Sequence, residues 1–188
     1  MGFADAYLLE TGRSLLVVVD PQTAFMNVIF EPERLRSNII KLLAAAKTLQ
    51  IPVLATTQNA EKLGPLDPTI AEHLPDGTPV IDKMTFSCMG STSFRNELEK
   101  LSDRTQAVLC GLETHVCITQ TAHDLLDDGL VVHLAADAIS SRTEWNYRYG
   151  LERLRHVGAT VSCTESVIFE WLRRAGTPEF REVAKWIK

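Results

Sequence analysis

Short apolar runs alternate with stretches of helical periodicity along most of this chain. Leu15-Leu-Val-Val-Val19 is wholly apolar, the pattern of a central strand covered on both faces. Ala107-Val-Leu-Cys110 is a second such run, ended by Gly111. The whole pattern predicts strands near 14–20, 52–57, 79–82, 105–111, 130–136 and 159–163. It predicts helices near 33–49, 91–101, 115–128, 143–156, 164–174 and 178–187. Alternation of this kind argues for an α/β protein, a parallel sheet with helices on both faces. In the third helix Ile118, Ala122, Leu125 and Leu126 recur at helical spacing until Asp127-Asp128-Gly129 stop it, and Thr114 is expected as its N-cap. Gly64-Pro-Leu-Asp-Pro68 and Pro75-Asp-Gly-Thr-Pro79 predict turns within one long loop, and no repeat or linker divides residues 1–188, so one domain is expected.

Composition narrows the classes. A chain of 188 residues is long enough for a sizeable core. A net charge of -5 argues against nucleic acid or an anionic membrane as partner. Asp5, Glu10 and Arg13 interrupt the first residues, so neither a signal peptide nor a membrane span is expected. Four cysteines without paired or metal-like spacing fit a reducing compartment, hence a cytoplasmic protein.

The chemistry gathers at strand ends. Cys117 falls in the first turn of a helix that follows a central strand, at the C-terminal edge where open α/β sheets bind ligands. A thiol there feels the positive end of the helix dipole, though a contribution of about 0.3–1 kcal/mol lowers its pKa by less than one unit. A fast nucleophile needs a cation or a base beside it as well. Asp20 follows the first strand and Lys83 the third, so a base, a cation and a thiol stand on three ends of one sheet. Each has an ordinary alternative: a turn-forming Asp before Pro21, a solvated lysine, a small core cysteine.

These segments, Val18-Val-Asp20-Pro-Gln-Thr-Ala-Phe25, Asp82-Lys83-Met-Thr-Phe86, Cys110-Gly-Leu-Glu-Thr-His-Val-Cys117 and Ala136-Asp-Ala-Ile-Ser-Ser-Arg142, resemble the isochorismatase-like hydrolase superfamily in order and spacing from about Ser14 to Arg174. The chain looks closest to its metal-free branch, near the isochorismatase-domain-containing proteins. The resemblance implies a single-domain, Rossmann-like three-layer α/β/α fold with a six-stranded parallel sheet of order 3-2-1-4-5-6. It implies a catalytic triad of Asp20, Lys83 and Cys117, and a cis peptide between Leu112 and Glu113 that turns the N–H groups of Glu113 and Cys117 toward an oxyanion. It also implies a small-molecule substrate and a homo-oligomer. Metal-binding relatives carry an Asp-x-His pair after the second strand, where this chain has Gln58-Asn-Ala-Glu61; no metal and no cofactor is expected.

Other residues are weighed beside the triad. Gln22, Phe25 and Phe86 follow the Asp20 and Lys83 segments and are candidate pocket walls. Cys88 is the rival nucleophile, in a loop with no acid assigned to it; Cys110 and Cys163 fall in apolar runs and are read as core. His115 lies two positions before Cys117 and points away from it, and the other histidines lack ligand spacing. Asp137, Ser140, Ser141 and Arg142 are read as ordering the loop after the fifth strand. Trp145, Tyr147 and Tyr149 on one helix are a candidate subunit contact. The function expected is a metal-independent cysteine hydrolase of a small amide or ureide through a thioester. The alternatives are a non-catalytic or redox-sensing protein, or a vinyl ether hydrolase of isochorismatase type.

Overall fold

The computed structural model describes residues 8–187. Six strands, β1 (Ser14–Val19), β2 (Val53–Gln58), β3 (Val80–Lys83), β4 (Gln106–Leu112), β5 (Val131–Ser140) and β6 (Thr160–Ser162), pair in the order β3-β2-β1-β4-β5-β6, all parallel. The longer helices are α2 (Pro32–Leu49), α5 (Thr92–Glu99), α6 (Thr119–Asp127), α7 (Glu144–His156), α8 (Thr164–Leu172) and α9 (Pro178–Ile187). Single turns α1 (Thr23–Met26), α3 (Ala60–Leu63) and α4 (Pro68–Ala71) lie in the connections. None of the described helices is long and apolar enough to cross a membrane.

Alternation along the central strands makes two cores. Leu15, Val17 and Val19 pack with Phe94, Ala122, Leu125 and Leu154, the side of α5, α6 and α7. Leu16 and Val18 pack with Leu35, Ile39, Leu42, Ile168 and Trp171, the side of α2, α8 and α9. All six residues of β1 are buried, as its unbroken apolar run requires. The three layers result from that one pattern.

The strand order reverses between β1 and β4, and here the backbones approach closely. Val19 lies opposite Gly111, whose φ is +113°; a Cβ on Gly111 would fall 2.0 Å from Val19 O. Only glycine fits, because the position combines a left-handed φ with the neighbouring strand's carbonyl. The C-terminal ends of β1 and β4 lie side by side, so the residues just past each strand border one crevice.

Three boundaries differ from the sequence pattern. β5 continues to Ser140, so Asp137 and Ser140 belong to the strand and not to a following loop. Asp137 instead accepts from the N–H and hydroxyl of Thr164 (2.7 and 2.8 Å), holding the start of α8. Cys163, read as core, is exposed: β6 ends at Ser162 and Cys163 already stands at the mouth of α8. The α-helix expected from 115 starts at Thr119, after a wider π-helical turn, Thr114–Ile118.

Candidate active site

Asp20 leaves β1 with φ +49°, in the left-handed region that aspartate enters more readily than most residues. Its N–H donates to Thr56 O at 3.1 Å, which ties the turn to β2. The buried carboxylate accepts on both oxygens, Oδ2 from Lys83 Nζ at 2.7 Å and Oδ1 from Thr56 Oγ1 at 2.7 Å.

Lys83 ends β3 with its side chain fully buried. Besides Asp20, Nζ has Gln58 Oε1 at 2.9 Å and the carbonyls of Thr85 and Phe86 at 3.2 Å. An ammonium has three N–H groups, so four acceptors surround it completely. Burial disfavours its charge, but Asp20, with smaller help from Cys88 and Cys117, outweighs that and holds its pKa above the ordinary value. Lys83 is a fixed cation.

Cys117 lies within the π-helical turn, just beyond a Leu112–Glu113 peptide that is cis. Thr114 does not cap this turn. With β5 extended to Ser140, a carbonyl lies beside it, and its hydroxyl donates to Ser140 O at 3.0 Å. The turn is pressed against α7 at Gly150, where a Cβ would meet Thr114 Cγ2 at 2.8 Å. Burial first, and then the negative charge of Asp20, push the Cys117 thiol up to about 12 against the opposing pull of Lys83. Burial and Asp20 together favour the protonated sulfur.

Asp20 and Cys117 open into a cavity of about 230 Å³. Its walls include Phe25, Leu63, Phe86 and Val116, with Gln58, Glu113 and Arg142 as polar members. Arg142 does more than order a loop: its N–H and its Nε both donate to Glu113 Oε1 at 3.0 Å, so the pair adds little net charge to the cavity. Gln22 is not part of the lining. Its buried amide clamps backbone, donating to Gln58 O and Gly64 O (3.2 and 2.7 Å) and accepting from Gln58 N at 2.7 Å. A larger cavity of about 360 Å³ touches Arg104, Thr105, Gly129 and Leu130, where β4 and β5 begin, and contains no cysteine.

The structure thus brings Asp20, Lys83 and Cys117 together with Phe25 and Phe86, and sets Gln22 apart. Cys110 is core, with Val17 O at 3.7 Å. His115 bonds Ser141 Oγ at 3.1 Å and does not line the cavity. Cys88 is buried behind Asp20, and burial pushes its thiol up to about 11. Sequence reasoning passed over Thr56, Gln58 and the Arg142–Glu113 pair. The signal for Thr56 was its place near the end of an apolar strand adjoining β1, opposite Val19. Among the described residues no group of three or more His, Cys, Asp or Glu is placed to hold a metal ion.

An acid, a cation and a thiol thus stand together at the switch point of a doubly wound α/β sheet. A family model for the isochorismatase domain matches residues 14–166. The secreted isochorismatase effector Isc1 of Phytophthora sojae is 40% identical over 177 residues, covering 93% of this chain and 84% of that protein. Isochorismatase domain-containing protein 2 of Danio rerio is 37% identical over 177 residues, covering 94% and 88%. The solved structure of the MAR1 ribonuclease from Caenorhabditis elegans superposes with a TM-score of 0.90 at 33% identity, covering 96% and 92%. The chain belongs to the isochorismatase family and is a hydrolase of that class.

Proposed function

We propose that this protein is a metal-independent cysteine hydrolase of small amides or ureides. The observation that carries the reading is the shared cavity of Asp20 and Cys117, with Lys83 paired to the acid. Asp20 takes the thiol proton as sulfur attacks the carbonyl carbon, and backbone N–H groups of Glu113 and Cys117 receive the oxyanion. Asp20 then passes the proton to the departing nitrogen, leaving a thioester on Cys117. A water molecule, deprotonated by Asp20, attacks the thioester and returns the thiol and a carboxylic acid. A resting thiol suits this order, since proton transfer and attack are coupled and no free thiolate stands beside a carboxylate.

The cavity favours a compact acyl group with an apolar face, because its walls are mainly Phe25, Leu63, Phe86 and Val116. A polymer such as RNA is a poor fit to a cavity of about 230 Å³ on a protein of net charge -5. Metal independence rests on the donor set at the end of β2 and just beyond it, Gln58-Asn59-Ala60-Glu61, which contains no histidine. The burial and raised thiol of Cys117 count against redox sensing, which relies on low-pKa, accessible thiols. Free cysteines support a reducing, cytoplasmic setting, and a stacked, exposed Trp145–Tyr149 pair supports self-association.

The test is intact-mass detection of an acyl adduct on Cys117 after rapid quench with a panel of small primary amides, with turnover before and after chelator dialysis. Adducts absent in Cys117→Ala and turnover unaffected by chelation are expected. Turnover of a vinyl ether substrate that survives Cys117→Ala but not Asp20→Asn would establish the isochorismatase-type alternative instead.

A further inference from the structure

Thr56 has one hydroxyl hydrogen and two neighbours that want it. Its Oγ1 lies 2.7 Å from Asp20 Oδ1 and 3.8 Å from Cys88 Sγ. A carboxylate oxygen cannot donate, so the hydrogen goes to Asp20. Toward sulfur, Thr56 can then only accept, and Cys88 must be the donor. That direction agrees with a thiol that burial keeps protonated. Cys88 is itself fixed, because its N–H donates to Thr121 Oγ1 at 2.9 Å, and Thr121 stands four residues after Cys117. All members are buried: Asp20 is 1% exposed, and Thr56, Cys88 and Thr121 are 0%. The charged and titratable groups facing Asp20 are Lys83 from β3, Cys117 from the π-helical turn and Cys88 from the turn before α5.

We propose that Thr56 is a positioning residue for Asp20, and that Cys88 is the donor at the far end of a directed chain, Cys88 S–H to Thr56 O–H to Asp20 Oδ1. The inference rests on the reading of Asp20 as the base for Cys117. With Oδ2 held by Lys83 and Oδ1 by Thr56, the carboxylate cannot rotate, and each oxygen keeps an acceptor direction for the thiol. The bond by which Thr56 holds it is among the stronger kind, because its acceptor is paired with Lys83 as an ion. The second thiol thus has a role other than attack. It cannot serve as nucleophile, since its hydrogen points to Thr56 and its sulfur is sealed from the cavity.

The experiment follows Cys117 carbamidomethylation by iodoacetamide, read by peptide mass spectrometry from pH 4 to pH 10, with thermal melts alongside. Thr56→Val keeps the strand and the shape and removes the hydroxyl. The acid limb of its profile should move to higher pH by about one unit or more. Thr56→Ser should restore the limb to within a few tenths of a unit. Cys88→Ala should move the limb less and in the same direction, with no further shift when combined with Thr56→Val. A Thr56→Val profile that superposes on the parent while its melting temperature drops would overturn the proposal, as would a Thr56→Ser limb displaced as far as that of Thr56→Val. So would a Cys88→Ala shift that persists undiminished without the Thr56 hydroxyl. Thr56→Ala supplies the same comparison should the valine variant fail to fold. Absence of acyl adducts with every amide, while these shifts occur as expected, would sink the amide-hydrolase reading and leave the positioning intact.

Discussion

Lys83→Met separates a catalytic cation from a structural one, and the structure sets the sizes. The lysine side chain is 0% exposed and Asp20 is 1% exposed, so its removal strands a buried carboxylate with Thr56 as its remaining side-chain donor. Breaking a buried pair on one side costs about 3–5 kcal/mol. In a chain of this size 1 kcal/mol corresponds to roughly 2–4 °C, so the melting temperature should fall by about 6–20 °C. Function should move for a different reason. Cys117 stands at about 12 with Lys83 pulling it down. Losing that pull raises the thiol further, and each unit removes about tenfold of the thiolate at any lower pH. Carbamidomethylation at pH 9 should therefore slow by at least about tenfold. Adding Asp20→Asn removes the stranded charge while suiting the left-handed backbone at that position. The double variant should recover most of the melting temperature, and its thiol should titrate below that of Lys83→Met because the repulsion from Asp20 has gone. The assay is alkylation against pH with melts on both variants. If Lys83→Met melts much lower while its alkylation profile matches the parent, the cation is structural and the reasoning fails.

The same geometry sets other outcomes. Gly111→Ala should unfold the protein at ordinary temperatures or displace β1 from β4, since its Cβ would sit 2.0 Å from Val19 O; normal circular dichroism and alkylation in this variant would contradict the close approach. Buried thiols should weaken the fold in alkali: Cys117 and Cys88 are raised from 9.0 to about 12 and about 11, so the folded state holds protons that the unfolded chain has lost. Their stabilisation is complete below pH 9.0 and declines as pH rises through those values, and melts from pH 8 to pH 11 should show the decline shrinking in Cys88→Ala. His133 works the other way: it is buried on β5 with neither ring nitrogen bonded among the described residues, and burial lowers its pKa despite Glu170. Its neutral form dominates the folded state, so stability should fall as pH drops below about 6.5, and His133→Leu should reduce the difference between melts at pH 7 and pH 5.

How far the sequence reached depends on the kind of interaction each residue makes. β1 and β4 were legible because a strand buried on both faces has to be apolar throughout, and Leu15–Val19 and Ala107–Cys110 fit no other place in such a fold. The placing of Asp20, Lys83 and Cys117 at strand ends came from that, since parallel strands bring all their C-terminal ends to one edge. What failed were inferences in which a side chain had to choose among partners distant in sequence. Thr114 has the chemistry of a cap, but it lies inside the π-helical turn, and its hydroxyl donates to Ser140 O, a carbonyl placed there because β5 runs four residues past the apolar run read for it. Gln22 follows Asp20 and looks like a pocket residue, yet a buried amide needs every partner it can reach, and Gln58 and Gly64 supply backbone ones. Cys163 has a strand-like neighbourhood in sequence but sits one residue past an edge strand three residues long. Thr56 is the instructive case. In the sequence it is an ordinary β-branched strand residue, and its propensity alone accounts for its presence. Only the pairing of Val19 with Thr56 places its hydroxyl against the first residue beyond β1, and with it a proton donor at the base of the site. The triad could be read from three strand ends because charge and sulfur are conspicuous there; the groups that hold it in place are conspicuous only once the register is known.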